Sequence, residues 1–168
     1  MPNTELPADC YAVRPSDYSR SGYDRGHLIP SGDRTRSVLE NESTFVMTNI
    51  IPQSPSNNRE VWRELEEYSR ELAFQGKELY LVAGGEGIAE KIADSQVVVP
   101  EYTWKVILIL DEPNSEITPQ NATTLAAWIP NSEEVMNTDW QDYIVSVDQV
   151  EKNTGYNFFA TLPRRIQR

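Results

Sequence analysis

The sequence predicts an α+β domain, and three observations carry that prediction. One stretch, 58–75, repeats its apolar residues at helical spacing. Several short runs rich in β-branched residues, at 78–83, 97–99, 103–110 and 124–129, read as antiparallel strands. The chain is 168 residues long, with 39% hydrophobic and 24% charged residues, which is one domain's worth with enough apolar mass for a core.

In chain order, residues 1–10 form a loose lead-in, 11–13 a possible short strand, and 15–19 a polar loop. Residues 25–30 enter and leave a strand, with Gly26 allowing close backbone approach. The segment 31–43 is loop-like, and 44–51 has the composition of a strand. Two prolines, Pro52 and Pro55, then stop it. The helix at 58–75 ends at Gly76, where a C′ glycine belongs. Its apolar stripe is Val61, Leu65, Tyr68 and Leu72. A second stripe about 100° round carries Asn58, Trp62, Glu66 and Arg70, each four residues apart. One face therefore packs while the next presents an amide, an indole, a carboxylate and a guanidinium in a row.

After the strand at 78–83, 84–87 reads as a glycine-rich turn. It lacks the Lys-Ser/Thr of a phosphate-binding loop. A further short strand is expected at 143–145. Ser146 with Gln149 three on reads as a capping box, opening a short helix that ends near Gly155. The apolar tail at 158–163 is expected to fold back on the body, and Arg164, Arg165 and Arg168 make a basic end. There are no repeats, no linker and no low-complexity tract.

Composition narrows the function classes. No apolar run approaches a membrane span, so no membrane partner is expected. The first residues have neither a basic n-region nor an apolar h-region, so no signal peptide is read. A single Cys10 and a single His27 argue against a disulfide framework and against a zinc site. A net charge of −11 argues against gripping nucleic acid with the whole surface. It leaves room for an enzyme that touches a few phosphates and lets a divalent cation neutralise the rest. The patterns at 41–43 and 121–123 match a glycosylation acceptor, which occurs often by chance.

His27 is the centre of the chemistry. Arg25, two residues away, tends to keep its imidazole neutral, and a neutral imidazole can take a proton from water near pH 7. Gly26 between them clears room. The alternative for Arg25 is a surface ion pair with Asp24 or Asp33. Asn58 is either a helix cap or a metal ligand, because its carbonyl oxygen is a hard donor suited to Mg²⁺. Glu66 lies roughly 12 Å further along the axis and leans back toward the N-terminus, so it would hold a metal-bound water rather than the metal. Its alternative is a surface pair with Arg70. Arg70 could fork onto a phosphate oxygen. Trp62 packs the helix, and Asn49 holds loops together by hydrogen bonds.

The run Tyr23-Asp24-Arg25-Gly26-His27-Leu28-Ile29-Pro30-Ser31 resembles the Asp-Arg-Gly-His motif of the DNA/RNA non-specific endonucleases, the ββα-metal (His-Me finger) nucleases. Residues 45–53, then Asn57-Asn58 and Trp62 to Glu66, resemble that family's second block. The likeness continues at 80–84, at Val99-Pro100, at Trp104-Lys105 and at 156–158.

The resemblance implies a ββα-metal core on an antiparallel sheet. It implies cleavage of single- and double-stranded DNA and RNA with one Mg²⁺, or Mn²⁺ in its place, leaving a 5′-phosphate. His27 would be the general base, Asn58 the sole direct protein ligand of the metal, and Glu66 the holder of its waters. Arg25 and Arg70 would contact phosphate, with Asp24 and Asn49 beside them on the substrate side. It also implies a periplasmic or extracellular setting and a possible proteinaceous inhibitor. Family members usually carry several tens of residues more before the motif, including an arginine that contacts phosphate. Here 23 residues precede Asp24, so part of the family domain is expected to be missing, with Arg14 and Arg20 the only substitutes in view. A second reading follows from the acidic balance: a shortened homologue that binds nucleic acid or an inhibitor without turning over. A third is a metal phosphodiesterase for smaller esters.

Overall fold

The computed structural model describes residues 1–167; Arg168, part of the expected basic end, lies outside them. The first strand, β1 (Asp24–His27), pairs antiparallel with β2 (Ile50–Gln53), Asp24 opposite Gln53 and His27 opposite Ile50. Between them lie a 3-10 turn at Ser31–Asp33, the short helix α1 (Val38–Ser43) and a second 3-10 turn at Met47–Asn49. Ser37 caps α1 by accepting from the Glu40 amide. The chain then enters α2 (Trp62–Phe74) through a π-helical turn, Asn57–Val61. Gly76 follows at φ 91°, with its N–H on the Ala73 carbonyl and the Lys77 N–H on that of Leu72, the expected left-handed stop.

The main sheet is β3 (Glu78–Glu86), β6 (Tyr102–Leu110), β7 (Ala122–Pro130) and β8 (Ile144–Val145), all antiparallel and in that spatial order. A separate ribbon joins β4 (Glu90–Ile92) to β5 (Val97–Val99). Helix α2 covers one face of the main sheet, where Val61, Trp62 and Leu65 meet Ile107, Ala127 and Ile129. On the other face Trp104, Val106 and Ala126 pack against Val147 and Val150 of α3 (Val147–Thr154) and against Phe158. Strand β6 is thus covered on both sides, which is why its sequence is apolar without alternation. Ser146 accepts from the Gln149 amide, and Gly155 ends α3 at φ 75°, as the capping pattern predicts. The tail folds back: Ile166 is buried against Leu108 and Leu110.

Four expected elements differ. Residues 11–13 are not a strand; Val13 instead packs with Tyr18, Met47, Ile50 and Val97, next to a 3-10 turn at Pro15–Tyr18. The strand expected at 44–51 starts only at Ile50 and runs on through Pro52 to Gln53. Its first half is turned aside because the Asn49 side chain takes the Thr44 carbonyl at 2.8 Å. Pro52 is tolerated because the hairpin is only two strands wide. The glycines at 84–85 are not a turn but the end of β3: a Cβ on Gly84 would lie 2.6 Å from the Trp104 ring, so glycine there leaves space for the indole. Finally, the helix starts before Asn58: residues 55–56 are already helical, Ser54 Oγ accepts from the Asn57 amide at 3.2 Å, and Asn57–Val61 is π rather than α.

Candidate active site

Alternation along β1 puts Asp24 and Gly26 on one face, Arg25 and His27 on the other. Gly26 is buried against Gln53: a Cβ there would sit 1.8 Å from Gln53 Oε1 and 2.6 Å from its Cγ. Gln53 is itself fully buried and donates to Asn57 Oδ1 at 3.3 Å. Asn57 continues the link, its Nδ2 donating to Thr103 Oγ1 at 2.9 Å and to the Pro130 carbonyl at 3.0 Å. Asn131 braces the same corner: its Oδ1 accepts from Ser54 N at 2.8 Å, and its Nδ2 donates to the Pro52 and Pro100 carbonyls at 3.0 and 2.9 Å. Buried amides therefore pin the hairpin and the helix start to the sheet.

The π turn sends its two asparagines different ways. Asn57 points into the sheet, while Asn58 Nδ2 donates to Asp24 Oδ2 at 3.0 Å. Arg59 forks onto the same carboxylate, Nε to Oδ2 and Nη2 to Oδ1, both at 2.7 Å. The Arg59 guanidinium holds the Asp24 carboxyl below its usual range; partial burial opposes it and the Asn58 amide adds to it. With its NH₂ committed, Asn58 keeps an amide oxygen that has no hydrogen-bond partner among the described residues. Asn58 lines an open, polar cavity of about 500 Å³ with Tyr23, Asp24 and Arg25. The Tyr23 hydroxyl donates to Glu90 at the rim.

His27 is half-buried, and its Nε2 is buried without a hydrogen-bond partner. Its ring meets the edge of Phe45 at 5.0 Å, and its carbonyl accepts from Trp62 Nε1 at 3.2 Å. Burial pushes the imidazole below its ordinary value, and the Arg25 charge pushes it further. A cavity of about 190 Å³ lies against it, walled by Met1, Pro15, Arg25, Phe45, Met47 and Ile50. His27 lines this cavity and Asn58 lines the one next to it. Arg25 and Pro15 belong to both walls.

Glu66 lines neither cavity. Its carboxylate is buried 3.8 Å from Lys105 Nζ, and that ammonium lies 4.2 Å over the Trp62 ring. Burial pushes Glu66 up to about 7, with Lys105 and then Arg70 holding it down. Burial likewise pushes Lys105 down to about 8, with Glu66 opposing. Arg70 is engaged by Asp33, Nη1 to Oδ1 at 3.1 Å, and among the described residues it forms no ion pair with Glu66. Asn49 is a loop holder, accepting from Ile29 N at 3.0 Å and donating to Ile29 O at 2.8 Å.

Residues 1–165 match the family model described as DNA/RNA non-specific endonuclease. The chain belongs to that family. A nuclease of Nostoc sp. is 49% identical over 168 residues, covering 99% of this chain and 61% of the relative. The human mitochondrial nuclease EXOG is 30% identical over 175 residues, covering 97% of this chain and 46% of its own length. Among solved structures, EndoG in complex with EndoGI superposes with a TM-score of 0.79 at 26% identity, over 92% of this chain and 66% of that one. The chain therefore spans between about half and two thirds of these relatives. The ββα-metal fold expected of the family is the one observed, as β1, β2 and α2.

Within that endonuclease core, β1 and the helix start bring Asp24, Arg25 and Asn58 together, with His27 one cavity away and Glu66 and Arg70 further along α2. Sequence reasoning assigns no role to three participants: Arg59, Lys105 and Asn131. Arg59 and Asn131 gave no signal, since their partners lie 35 and 77 residues away. Lys105 did give one, as a lone charge inside an apolar strand. For a metal, the donor set is informative. No group of three or more His, Cys, Asp and Glu side chains that could hold an ion occurs among the described residues. What the site offers is one free amide oxygen, with a carboxylate behind it, in a polar cavity roomy enough for water. That fits Mg²⁺ or Mn²⁺, hard cations that keep most of their waters, and does not fit zinc.

Proposed function

We propose that this chain carries the reaction centre of a metal-dependent endonuclease that hydrolyses phosphodiester bonds in DNA and RNA, single- or double-stranded, leaving 5′-phosphates. The observation that carries the reading is Arg25, shared by the wall at His27 and the wall at Asn58. A phosphodiester gripped by that guanidinium has the imidazole on one side and the amide oxygen on the other. His27 Nε2, neutral and without a protein partner, takes the proton from an attacking water. The cavity beside it has room for that water. Asn58 Oδ1 would hold the divalent cation, whose chemistry is to neutralise charge on the phosphate and on the departing 3′-oxygen. Arg25 steadies the charge on the non-bridging oxygens. All these contacts go to one phosphate, so neither sugar nor base is read.

Glu66 and Arg70 hold a different position in this reading from the one their spacing suggests. Both sit in a charge cluster with Lys105 and Asp33, so they stiffen α2 and act on the metal waters or the phosphate only if those pairs open. DNA and RNA are the proposed substrates. A protein inhibitor is a proposed partner, since EndoG is described in an inhibited complex with EndoGI. The test is digestion of plasmid and of RNA with Mg²⁺, with EDTA, and by His27→Ala. Metal-dependent cleavage, reduced on the order of 10²-fold or more in the variant, is expected; undiminished cleavage by His27→Ala removes it as the base.

One observation favours a second reading. Phe45 stands against the His27 ring, 5.0 Å from it, in the wall of the small cavity. If it stays there on nucleic acid, the chain binds metal and substrate without cutting. Binding with no product, measured on the same preparation, supports that reading over turnover.

A further inference from the structure

We infer that Arg59 is a positioning residue, acting through Asp24 to decide which end of the Asn58 amide faces the cavity. The inference rests on reading Asn58 as the metal's ligand. An amide side chain has two ends of nearly equal shape and opposite chemistry. Rotating it by half a turn exchanges a hard oxygen donor for an NH₂ that no cation binds. The bond from Asn58 Nδ2 to Asp24 Oδ2, 3.0 Å long, is the only side-chain hydrogen bond Asn58 makes among the described residues, so Asp24 alone selects the orientation.

Asp24 is in turn held by Arg59. The guanidinium takes both carboxylate oxygens at 2.7 Å, fixing the plane of the group as well as its place. Without that fork the carboxylate can swing about its own bonds, and the Asn58 amide loses its fixed acceptor. Arg59 itself does not line the cavity, so it stands behind the site rather than in it. Its side chain is 66% exposed, against 20% for Asp24. An exposed ion pair contributes little to stability, so its effect is expected on the metal rather than on folding.

The experiment is Mn²⁺ titration of the protein without nucleic acid, followed by electron paramagnetic resonance. Arg59→Ala should weaken Mn²⁺ binding about tenfold, the usual effect of losing a supporting partner. Arg59→Lys should fall between, because an ammonium makes a single bond where the guanidinium makes a fork. In an Asp24→Ala background, Arg59→Ala should cause no further loss, since the path runs through Asp24. Arg36→Ala, which breaks only the exposed pair with Glu40, is the control and should bind as the parent does. A purely structural Arg59 would lower the melting temperature and leave the metal affinity of the folded protein unchanged. If Arg59→Ala does not fold, Arg59→Gln replaces it. Parent-like Mn²⁺ binding by Asn58→Ala would remove the ligand reading itself. Loss in Asn58→Ala but none in Arg59→Ala, or an equal Arg59→Ala loss with and without Asp24, overturns the positioning role alone.

Discussion

Gly26→Ala is the most direct probe of how the hairpin is seated. An alanine methyl would lie 1.8 Å from Gln53 Oε1, 2.3 Å from its Cδ and 2.6 Å from its Cγ. Three atoms of one side chain are inside hard contact, and the Cγ is not a free end. Turning the amide does not clear the methyl; the whole Gln53 side chain has to leave a fully buried site. Overpacking of this kind costs about 1–3 kcal/mol, and the lost bond to Asn57 adds about 1 kcal/mol. Near the top of that range, about 3 kcal/mol, the melting temperature of a domain this size falls by roughly 6–12 °C. The assay is thermal and urea unfolding, with Gln53→Ala added to Gly26→Ala as the second arm. Cutting Gln53 back removes the clash, so the double variant should recover part of the loss. A Gly26→Ala protein within about 0.5 kcal/mol of the parent, below the overpacking range, refutes the seat. So does a double variant that is no better than Gly26→Ala alone.

Asn131→Ala removes three hydrogen bonds and strands the Ser54 amide in a buried corner, so a loss of roughly 3 kcal/mol is expected by chemical unfolding; a loss under about 0.5 kcal/mol, the scale of an ordinary surface change, would contradict the brace. The acid limb of kcat/KM should lie below the ordinary imidazole value of 6.5, because burial and Arg25 both favour neutral His27. Arg25→Ala should move that limb up, though not fully, since burial remains; a limb that stays put contradicts the electrostatic cause. Lys105→Met removes the charge that holds Glu66 down, so its carboxyl should titrate above 7, read by carbon NMR. A carboxyl raised in the folded state supports stability in acid and gives it up as pH rises through the folded value. The variant should therefore lose stability more steeply than the parent between pH 7 and 8, where the parent's Glu66 contribution is already flattening. Matching slopes there would show that the two groups are not coupled.

Local chemistry was legible in the sequence wherever a signal and its effect lay within one turn or one strand. Gly76 and Gly155 end helices because only a left-handed residue fits there, and Ser146 starts one through a bond three residues on. The apolar run of β6 announced its burial. The site was legible as a set of residue types in a family pattern, and β1 with the helix start did bring Asp24, Arg25 and Asn58 together. Long-range pairing was hidden. Nothing local says that Arg59 will take Asp24, that Asn131 will reach Ser54, or that Lys105 will draw Glu66 into a buried pair away from Asn58. The strand at 44–51 was misplaced for the same reason: its composition is right, but the Asn49 side chain diverts the backbone. That Arg25 and Pro15 wall both the His27 and the Asn58 cavity depends on tertiary packing, which spacing alone does not reveal.

Plasmid nicking rates in saturating Mg²⁺ for His27→Ala, Asn58→Ala and the double variant bear most closely on the shared phosphate. If imidazole and amide oxygen serve the same reacting group, each single variant loses on the order of 10²-fold or more, and the double is no slower than the worse single. Losses that multiply in the double variant, or a His27→Ala enzyme that nicks at the parent rate, would show that the two residues do not act on one phosphate.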